Sequence, residues 1–383
     1  MKDYTFKIPQ EIIFGPGVLN RLPELLKKSG SEKTMIVSDH GLEKVGVVKQ
    51  VMDLAEENGI KAYAFLDIQP NPTVEMVGKA AKAYRESGAT SIVALGGGSP
   101  MDVAKAVGIL ARYGGTITDY EGAHLVPGAI EPVIAVPTTA GTGSEVTAFS
   151  VITDSVRDYK LTVFSYELIP KYALLDPEMI ASVPSSIAAA CGIDALIHGI
   201  EAYLSLGATP FSDAMAEKAM ELIGGSIRSY VANPRDMEAA GAMMSGSMFA
   251  GIAFAWARLG NVHAMSHPVS AFFHVPHGVA NGILLPVVLE YNELADRGRY
   301  EKIYNYISGR REAVKDFCPF MLAEEIKRLN LSLGIPKSLE EVGVTEDKIP
   351  QMAEDAMRSG NIGVNPRRTT LKDVIALYHK AMK

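Results

Sequence analysis

Alternation of strand-like and helix-like segments in the first half of the chain restricts its fold more than any other feature. Short apolar runs read as buried strands, namely TMIVSD (34–39), KAYAFLDI (61–68), SIVALGGGS (91–99) and the start of EPVIAVPTTAGTGSE (131–145). Between them lie segments with helical spacing, over about 42–58, 74–87 and 100–113. Strands that alternate with helices in this way predict an α/β fold with a parallel, doubly wound sheet.

The second half of the chain has a different character. From SVPSSIAAACGIDALIHGIEAYLS (182–205) onward the sequence is rich in alanine and helical in spacing, without a convincing strand. A chain of 383 residues is long enough for two domains, each with its own core. We therefore expect an α/β domain over residues 1–180 and an all-α domain over residues 181–383.

Composition excludes several classes of protein. A net charge of −7 provides no basic surface for nucleic acid. The two cysteines, Cys191 and Cys318, form no CxxC pair, which argues against a disulfide scaffold or a thiolate zinc site and fits a reducing cytoplasm. The first residues lack the apolar core of a signal peptide. We expect a cytoplasmic protein.

One uncharged stretch, AAGAMMSGSMFAGIAFAWA (239–257), is long enough to cross a bilayer. It consists mostly of Ala, Gly, Met and Ser, and small residues allow helices to pack closely. We interpret it as a buried helix of a soluble protein with no membrane partner.

Two turns rich in small residues follow predicted strands. Gly96-Gly97-Gly98-Ser99 precedes a helix opened by Pro100, and such a turn presents backbone N–H groups to an anion such as a pyrophosphate. Glycine needed for a tight turn alone is the other interpretation, and Met101 breaks the GxGxxG fingerprint. The second turn runs from Thr138 to Ser144. Both turns would lie at the carboxyl ends of parallel strands, where α/β sheets bind nucleotides.

Asp39 ends the first predicted strand. Its carboxylate could accept hydrogen bonds from a ribose diol, or it could cap the helix that begins near Gly41. The sequence leaves both roles open.

Histidines concentrate in GNVHAMSHPVSAFFHVPHG (260–278), which holds four of the eight in the chain. His263 and His267 are spaced i, i+4, as are Asp194 and His198 on the predicted helix GIDALIHGIEAY. Three imidazoles and one carboxylate suit zinc or ferrous iron. Scattered structural histidines remain the alternative, and Glu201 and Ser205 extend the Asp194 stripe as in an ordinary polar helix face.

Together GGGSPMDVAKAVG, PTTAGTGSEVT, DALIHGIEAY and GNVHAMSHPVS…HG resemble the iron-containing (group III) alcohol dehydrogenases, and the resemblance runs from FKIPQEIIFGPG to the C-terminus. It implies a dehydroquinate synthase-like fold, with an N-terminal dinucleotide-binding domain and a helical metal- and substrate-binding domain. It also implies an NAD- or NADP-dependent enzyme holding Fe²⁺ or Zn²⁺, in a homodimer or larger homo-oligomer.

Carried over position by position, the resemblance assigns three groups of residues. His267 would lie near the nicotinamide and the substrate without binding the metal, and its i, i+4 spacing from His263 makes it our candidate proton relay. His274 has no assigned role. The metal ligands would be Asp194, His198, His263 and His277. The cofactor-binding residues would be Asp39, Asn71, Gly97, Gly98, Ser99, Asp102, Thr138, Thr139, Thr142 and Lys160.

The implied reaction is hydride transfer between a short-chain alcohol or diol and the nicotinamide, with the metal acting as a Lewis acid. Phe149, Trp256 and Ser266 depart from residues frequent in the family, so a particular relative's substrate does not transfer. Two alternatives stay open. A dehydroquinate synthase-type lyase would need basic residues to bind a sugar phosphate, and the metal motifs offer only Arg258. The other alternative is a non-catalytic metal- or nucleotide-binding protein.

Overall fold

The structure, a computed structural model, describes residues 4–157, 159–308 and 316–383. These residues form two compact units. The α/β unit comprises residues 5–139 and 144–180, and the helical unit comprises Tyr4, residues 140–143 and the described part of 181–383. The short loop 140–143 therefore belongs with the helices, although the sequence suggested one boundary near residue 180.

Strands are confined to the α/β unit among the described residues. They are β1 (Glu11–Phe14), β2 (Lys33–Val37), β3 (Lys61–Phe65), β4 (Ser91–Gly96), β5 (Gly122–Ala123), β6 (Val133–Pro137), β7 (Phe149–Asp154), β8 (Tyr159–Phe164) and β9 (Tyr172–Leu175). Six of them form a parallel sheet in the order β1-β9-β6-β4-β2-β3. The predicted parallel sheet is confirmed.

Alternate residues of the central strands enter two separate apolar cores. In β4, Ile92 and Ala94 belong to one core, whereas Val93 and Leu95 belong to the other. Side chains of a strand alternate between the faces of its sheet, so both faces of this sheet are covered. That double burial explains why the central strands read as continuous apolar runs.

Helices of the α/β unit follow the predicted alternation. They are α1 (Leu22–Lys28), α2 (His40–Lys44), α3 (Val47–Glu56), α4 (Val74–Ser87) and α5 (Gly98–Tyr113). The helix predicted over 42–58 is divided at Gly46, which adopts φ +84°. A residue in the left-handed region cannot continue an α-helix, so the chain starts a new one at Val47.

A second, three-stranded sheet in the order β5-β8-β7 was not predicted. Its β7 and β8 pair antiparallel, with Thr153 opposite Lys160. These strands alternate buried and partly exposed residues and include charges, so they lack the apolar runs by which the central strands were recognised. The edge strand β1, with Phe14 exposed, was missed for the same reason.

The helical unit contains α6 (Ser185–Leu204), α7 (Pro210–Ala232), α8 (Met237–Ala257), α9 (Asn261–Phe273), α10 (His277–Asn292), α11 (Arg299–Ser308), α12 (Phe320–Ser332), α13 (Ile349–Arg358) and α14 (Leu371–Ala381). No strand occurs in the part of 181–383 that the structure describes, so the all-α prediction is confirmed there. Two of its helices, α6 and α8, are long and apolar enough to cross a membrane. Most of each apolar window is buried inside the fold, as in core helices.

Candidate metal centre and nucleotide-binding edge

Three predicted metal ligands converge in the helical unit. One ligand atom each from Asp194 on α6, His263 on α9 and His277 on α10 lies within 4.8 Å of the others. Asp194 Oδ1 is 3.8 Å from His263 Nε2 and 3.9 Å from His277 Nε2. Residues far apart in sequence thus direct one oxygen and two nitrogens toward a common point.

Close contact between α6 and α10 places His277 there. A Cβ atom on Gly278 would lie 1.9 Å from the carbonyl oxygen of Ala190, one turn before Asp194. Only glycine lets the two backbones approach this closely. The His-Gly pair at 277–278 therefore combines a ligand with the residue that brings its helix against α6.

Asn281 lies among the three donor atoms and is fully buried. Its Nδ2 donates to Asp194 Oδ1 at 2.6 Å and lies 3.1 Å from Nε2 of both His263 and His277. Its Oδ1 is buried without a hydrogen-bond partner among the described residues. A donor set of carboxylate and imidazole suits Fe²⁺ or Zn²⁺, and a buried orphan polar atom at its edge fits a site built around an ion.

His198 lies beside this cluster but outside the three atoms that converge. Its ring stacks on that of His263 at 4.6 Å between centroids and packs against Phe254 at 4.5 Å. Its Nδ1 is 3.3 Å from the carbonyl oxygen of Gly141, and donation to that oxygen leaves Nε2 as the available ligand atom. Its role as the fourth ligand stays a prediction.

The glycines of the second turn explain how the carbonyl oxygen of Gly141 comes close to His198. A Cβ on Gly141 would lie 2.8 Å from Cys191 Cβ on α6, and one on Gly143 would lie 2.7 Å from the Cα of Gly251 on α8. Gly143 also has φ +62°. Glycine lets the loop 140–143 lie directly on the helices, within reach of His198.

Glu201 and Asn281 are residues of the site to which the sequence analysis gave no functional role. Glu201 Oε2 is 2.6 Å from His263 Nδ1, and both groups are buried. Glu201 was interpreted as part of a polar stripe, but its position three residues after His198 and seven after Asp194 places it on the ligand face of α6. That spacing was the signal available in the sequence.

Electrostatics of the cluster favour a cation. Burial opposes charge on Asp194, yet attraction to the neighbouring histidines, led by His198, holds the pKa of that carboxyl well below its usual range. Burial lowers the pKa of His198 to about 4. Burial also acts to lower the pKa of His263, but its hydrogen bonds to Asp194 and Glu201 outweigh this and raise it to about 9. A metal ion here would take the place of a proton.

The other two histidines of the segment 260–278, His267 and His274, lie in different environments. His267 is half-buried on α9, with its ring stacked on that of His277 at 5.2 Å and 6.4 Å from that of His263. His274 is exposed and ends α9 with φ +55°. The structure therefore brings His267 to the predicted ligands and leaves His274 on the surface.

In the α/β unit, the two predicted turns lie side by side. The N–H of Thr138 donates to the carbonyl oxygen of Gly96 at 3.0 Å, and a Cβ on Gly97 would lie 3.1 Å from Thr139 Oγ1. Gly98 and Ser99 form the first turn of α5. The turns follow β4 and β6, which are neighbours in the sheet. The Thr139 hydroxyl therefore lies against the N-cap of α5, and a helix N-terminus is a place suited to an anion.

Asp39 follows β2 and acts as the N-cap of α2. Its Oδ1 accepts hydrogen bonds from the N–H groups of Gly41 and Leu42 at 2.7 and 3.0 Å. The capping interpretation is thus shown. Chain order reverses between β2 and β4, which is the position in α/β sheets where ligands bind, so a second role toward a nucleotide stays a prediction.

Asn71 and Lys160 come together as a pair. Lys160 Nζ donates to Asn71 Oδ1 at 2.8 Å, and burial lowers the pKa of Lys160 to about 8. Asp102 has a different setting, because its carboxylate accepts from Ser144 Oγ and from the N–H of Val151. Asp102 thus holds β7 against α5 within the protein. Thr142 belongs to the loop 140–143 of the helical unit.

Comparison with known proteins defines the class. The sequence profile described as iron-containing alcohol dehydrogenase matches residues 9–177, and that of the C-terminal part of the same family matches residues 188–382. The chain is 36% identical to the NAD-dependent methanol dehydrogenase of Bacillus methanolicus over 99% of this chain and 100% of that one. It is 38% identical to the lactaldehyde reductase of Escherichia coli (strain K12) over 96% of this chain and 97% of that one.

Solved structures give the same result. A crystal structure of 1,3-propanediol oxidoreductase superposes with a TM-score of 0.95 at 35% identity, covering 100% of both chains. An alcohol dehydrogenase from Oenococcus oeni gives a TM-score of 0.95 at 34% identity over 99% of this chain and 100% of that one. The fold and the matched sequence profiles are those of a metal-dependent oxidoreductase. This chain belongs to the iron-containing alcohol dehydrogenase family, and the predicted activity of an iron-dependent alcohol dehydrogenase is confirmed.

Proposed function

We propose that this enzyme interconverts a short-chain alcohol or diol and its aldehyde, with NAD as the hydride carrier and Fe²⁺ as the resident metal. The observation that carries the proposal is the convergence of Asp194, His263 and His277 within 4.8 Å. A relative named for NAD dependence and one solved relative with bound NAD⁺ support the choice of carrier.

Four side chains would hold the metal: Asp194, His198, His263 and His277. When bound, the ion supplies a Lewis acid for the substrate oxygen. The chain supplies its geometry, because three helices fix the ligands and Asn281 donates to Asp194 Oδ1. Zinc fits the same donor set, since imidazole and carboxylate accept either ion.

His267 is our candidate for moving the proton that accompanies oxidation of an alcohol. It lies on the same face of α9 as His263 and is partly exposed, so it can exchange a proton at its ring nitrogens with solvent. A proton-transfer group of this kind typically contributes about a hundred- to ten-thousandfold in rate.

Residues of the α/β unit would bind the dinucleotide. Gly97, Gly98 and Ser99 at the start of α5 would hold the pyrophosphate, with Thr138, Thr139 and Thr142 contributing hydroxyl groups. Lys160 would contact the cofactor ribose, and Asn71 and Asp39 would approach the adenosine side. Asp102 would act in this set through β7 and Ser144, which it anchors.

Substrate size is proposed from the relatives' names and from the chain's own residues. Relatives are named for methanol, lactaldehyde and 1,3-propanediol, all small molecules. Within the helical unit, Phe254 packs on His198, and Trp256 lies 6.1 Å from Phe211. The Phe254 ring beside this predicted ligand favours a small substrate. We further propose a cytoplasmic homodimer or larger homo-oligomer.

A spectrophotometric screen tests the proposal. The purified protein, loaded with Fe²⁺ under anaerobic conditions, is offered methanol, ethanol, 1,2-propanediol and 1,3-propanediol with NAD⁺, and the corresponding aldehydes with NADH. Turnover with at least one pair is expected. Absence of NADH formation or consumption with every pair, in a sample shown to carry iron, contradicts the proposed substrate class.

A further inference from the structure

Glu201 connects two helices at the candidate metal centre. It lies on α6 with 5% of its surface exposed, and both of its carboxylate oxygens contact the first turn of α9. Oε1 accepts from the N–H of Val262 at 2.7 Å. Oε2 lies 2.6 Å from His263 Nδ1 and 3.3 Å from the N–H of His263.

This contact fixes the tautomer of His263. A carboxylate can only accept, so His263 Nδ1 must carry the hydrogen in the pair. The lone pair of the neutral ring is then on Nε2, the atom that faces Asp194 and His277. A carboxylate behind an imidazole in this manner also raises the basicity of the ligating nitrogen.

The same carboxylate completes the start of α9. Gly260 stands at the N-cap and has no side chain that could accept the first N–H groups. Such N–H groups need acceptors, and a negative charge is favourable at a helix N-terminus. Glu201 supplies the acceptor oxygens and the negative charge from α6. Its carboxylate therefore sets both where α9 begins and how the ring of His263 is oriented.

The space around Glu201 is matched to this role. A Cβ on Gly260 would lie 2.8 Å from Glu201 Oε1 and 3.1 Å from Asn365 Oδ1. Asn365 Oδ1 in turn accepts from the N–H of Asn261 at 3.3 Å and from Asn292 Nδ2 at 3.0 Å. Glycine at 260 therefore leaves room for the Glu201 carboxylate at the start of α9, beside an Asn365 amide that is itself hydrogen-bonded.

We propose that Glu201 is a positioning residue for the metal, acting through His263 by fixing its tautomer, its ring orientation and the first turn of its helix. The proposal rests on the metal site of the proposed function. It predicts that metal affinity depends on the acceptor geometry of Glu201, although Glu201 does not touch the ion.

Glu201→Gln is the principal test, because it keeps the volume but leaves one acceptor oxygen for the three donor groups of Val262 and His263. Metal-free full-length protein is titrated with Zn²⁺ against a chelator of known affinity. We expect the Zn²⁺ dissociation constant to rise by about ten- to a hundredfold, as for lost partners of ligating histidines. At saturating Co²⁺, the absorption bands of the bound ion should also shift, because His263 becomes a weaker donor.

Asp176→Asn is the matched control. Asp176 is a fully buried carboxylate that accepts from the N–H groups of Gly17, Leu19 and Glu178 in the α/β unit. The Asp176→Asn substitution should lower the melting temperature while leaving the Zn²⁺ dissociation constant and the Co²⁺ bands unchanged. The proposal is overturned if the Zn²⁺ dissociation constant of Glu201→Gln lies within twofold of that of the unmodified protein and the Co²⁺ bands are unchanged.

Gly260→Ala tests the same idea if Glu201→Gln does not fold. It retains the carboxylate but displaces it, so a smaller loss of Zn²⁺ affinity is expected, and unaltered affinity counts against the role. His263→Ala separates the two proposals. If the unmodified protein and His263→Ala bind Zn²⁺ equally, the metal site itself is wrong. If His263→Ala loses binding and Glu201→Gln keeps it, only the role of Glu201 is wrong.

Discussion

At the scale of single residues, the two histidines of HAMSH differ in their surroundings. His263 is buried, bonded to Glu201 and directed at Asp194, whereas His267 is partly exposed and stacks on the ring of His277. The i, i+4 spacing places both histidines on one helix face, but their environments differ. That of His263 suits a metal ligand, and that of His267 suits proton exchange.

Alanine substitution of these histidines should give different results. His263→Ala removes a ligand, so metal per subunit should fall steeply together with turnover. His267→Ala should keep near-stoichiometric metal and lose about a hundred- to ten-thousandfold in rate. Elemental analysis beside turnover of the two purified variants provides the measurement. Metal loss in His267→Ala with metal retained in His263→Ala would reverse the assignment.

Asp39 should govern the choice between NAD and NADP. A carboxylate near the adenine ribose accepts from the 2′-hydroxyl and repels a 2′-phosphate, and a hydrogen bond to a charged group contributes about 1.5–3 kcal/mol. We expect roughly ten- to a hundredfold preference for NAD. Asp39→Asn removes the charge but keeps a favourable N-cap for α2, so the preference should shrink without loss of stability. The ratio of kcat/KM values for the two cofactors measures this, and an unchanged ratio in the variant contradicts the placement.

At the scale of elements, close helix contacts assemble the metal centre. Gly278 lets α10 touch α6 at Ala190, and Gly141 lets the loop 140–143 lie on α6 beside His198. Gly278 directly follows the predicted ligand His277, and the carbonyl oxygen of Gly141 contacts the predicted ligand His198. These contacts convert separate sequence motifs into one cluster.

Gly278→Ala should therefore damage the centre through packing. The added Cβ meets Ala190 O at 1.9 Å, so α10 must shift and carry His277 away from Asp194. Overpacking of this kind costs about 1–3 kcal/mol, and metal content should fall with stability. Gly225→Ala in α7 is the control, because its added Cβ would meet no described atom within 4 Å beyond its chain neighbours and the adjacent backbone of its own helix. It should stabilise by about 0.5–1 kcal/mol and leave metal content unchanged. Normal metal content in Gly278→Ala would count against the contact.

At the scale of the whole molecule, the two units carry different predicted ligands. Asp194, His198, His263 and His277 all belong to the helical unit, and most of the predicted dinucleotide residues belong to the α/β unit. A ligand that binds the folded state stabilises it in proportion to RT ln(1 + [L]/Kd). The two ligands should therefore stabilise the chain through separate sites.

Thermal unfolding with each ligand tests this separation. Zn²⁺ or NAD⁺ at a hundred times its dissociation constant should each add about 2.7 kcal/mol to the free energy of unfolding. In His263→Ala the increment from Zn²⁺ should disappear, while that from NAD⁺ should remain. Removal of metal by a chelator should lower the melting temperature of the unmodified protein. Loss of both increments in His263→Ala would show that the sites do not act separately.

The architecture could be predicted from the amino-acid sequence where the burial pattern is simplest. Strands such as β4, apolar on both faces, and helices such as α4, with a regular apolar stripe, could be recognised because local pattern and final environment agree. The half-buried strands β7 and β8 could not, since their pairing partner and their exposed faces are settled only by the folded chain.

Tertiary structure alone decided which of the candidate residues meet. Sequence spacing placed Asp194 and Glu201 on one face of α6, but their partners on α9 and α10 are about 60 to 80 positions away. Only packing brings His263 Nδ1 to Glu201 and its Nε2 to Asp194. A local pattern records which residues share a helix face, whereas the convergence of three helices depends on long-range close contacts such as Gly278 against Ala190, which no single segment contains.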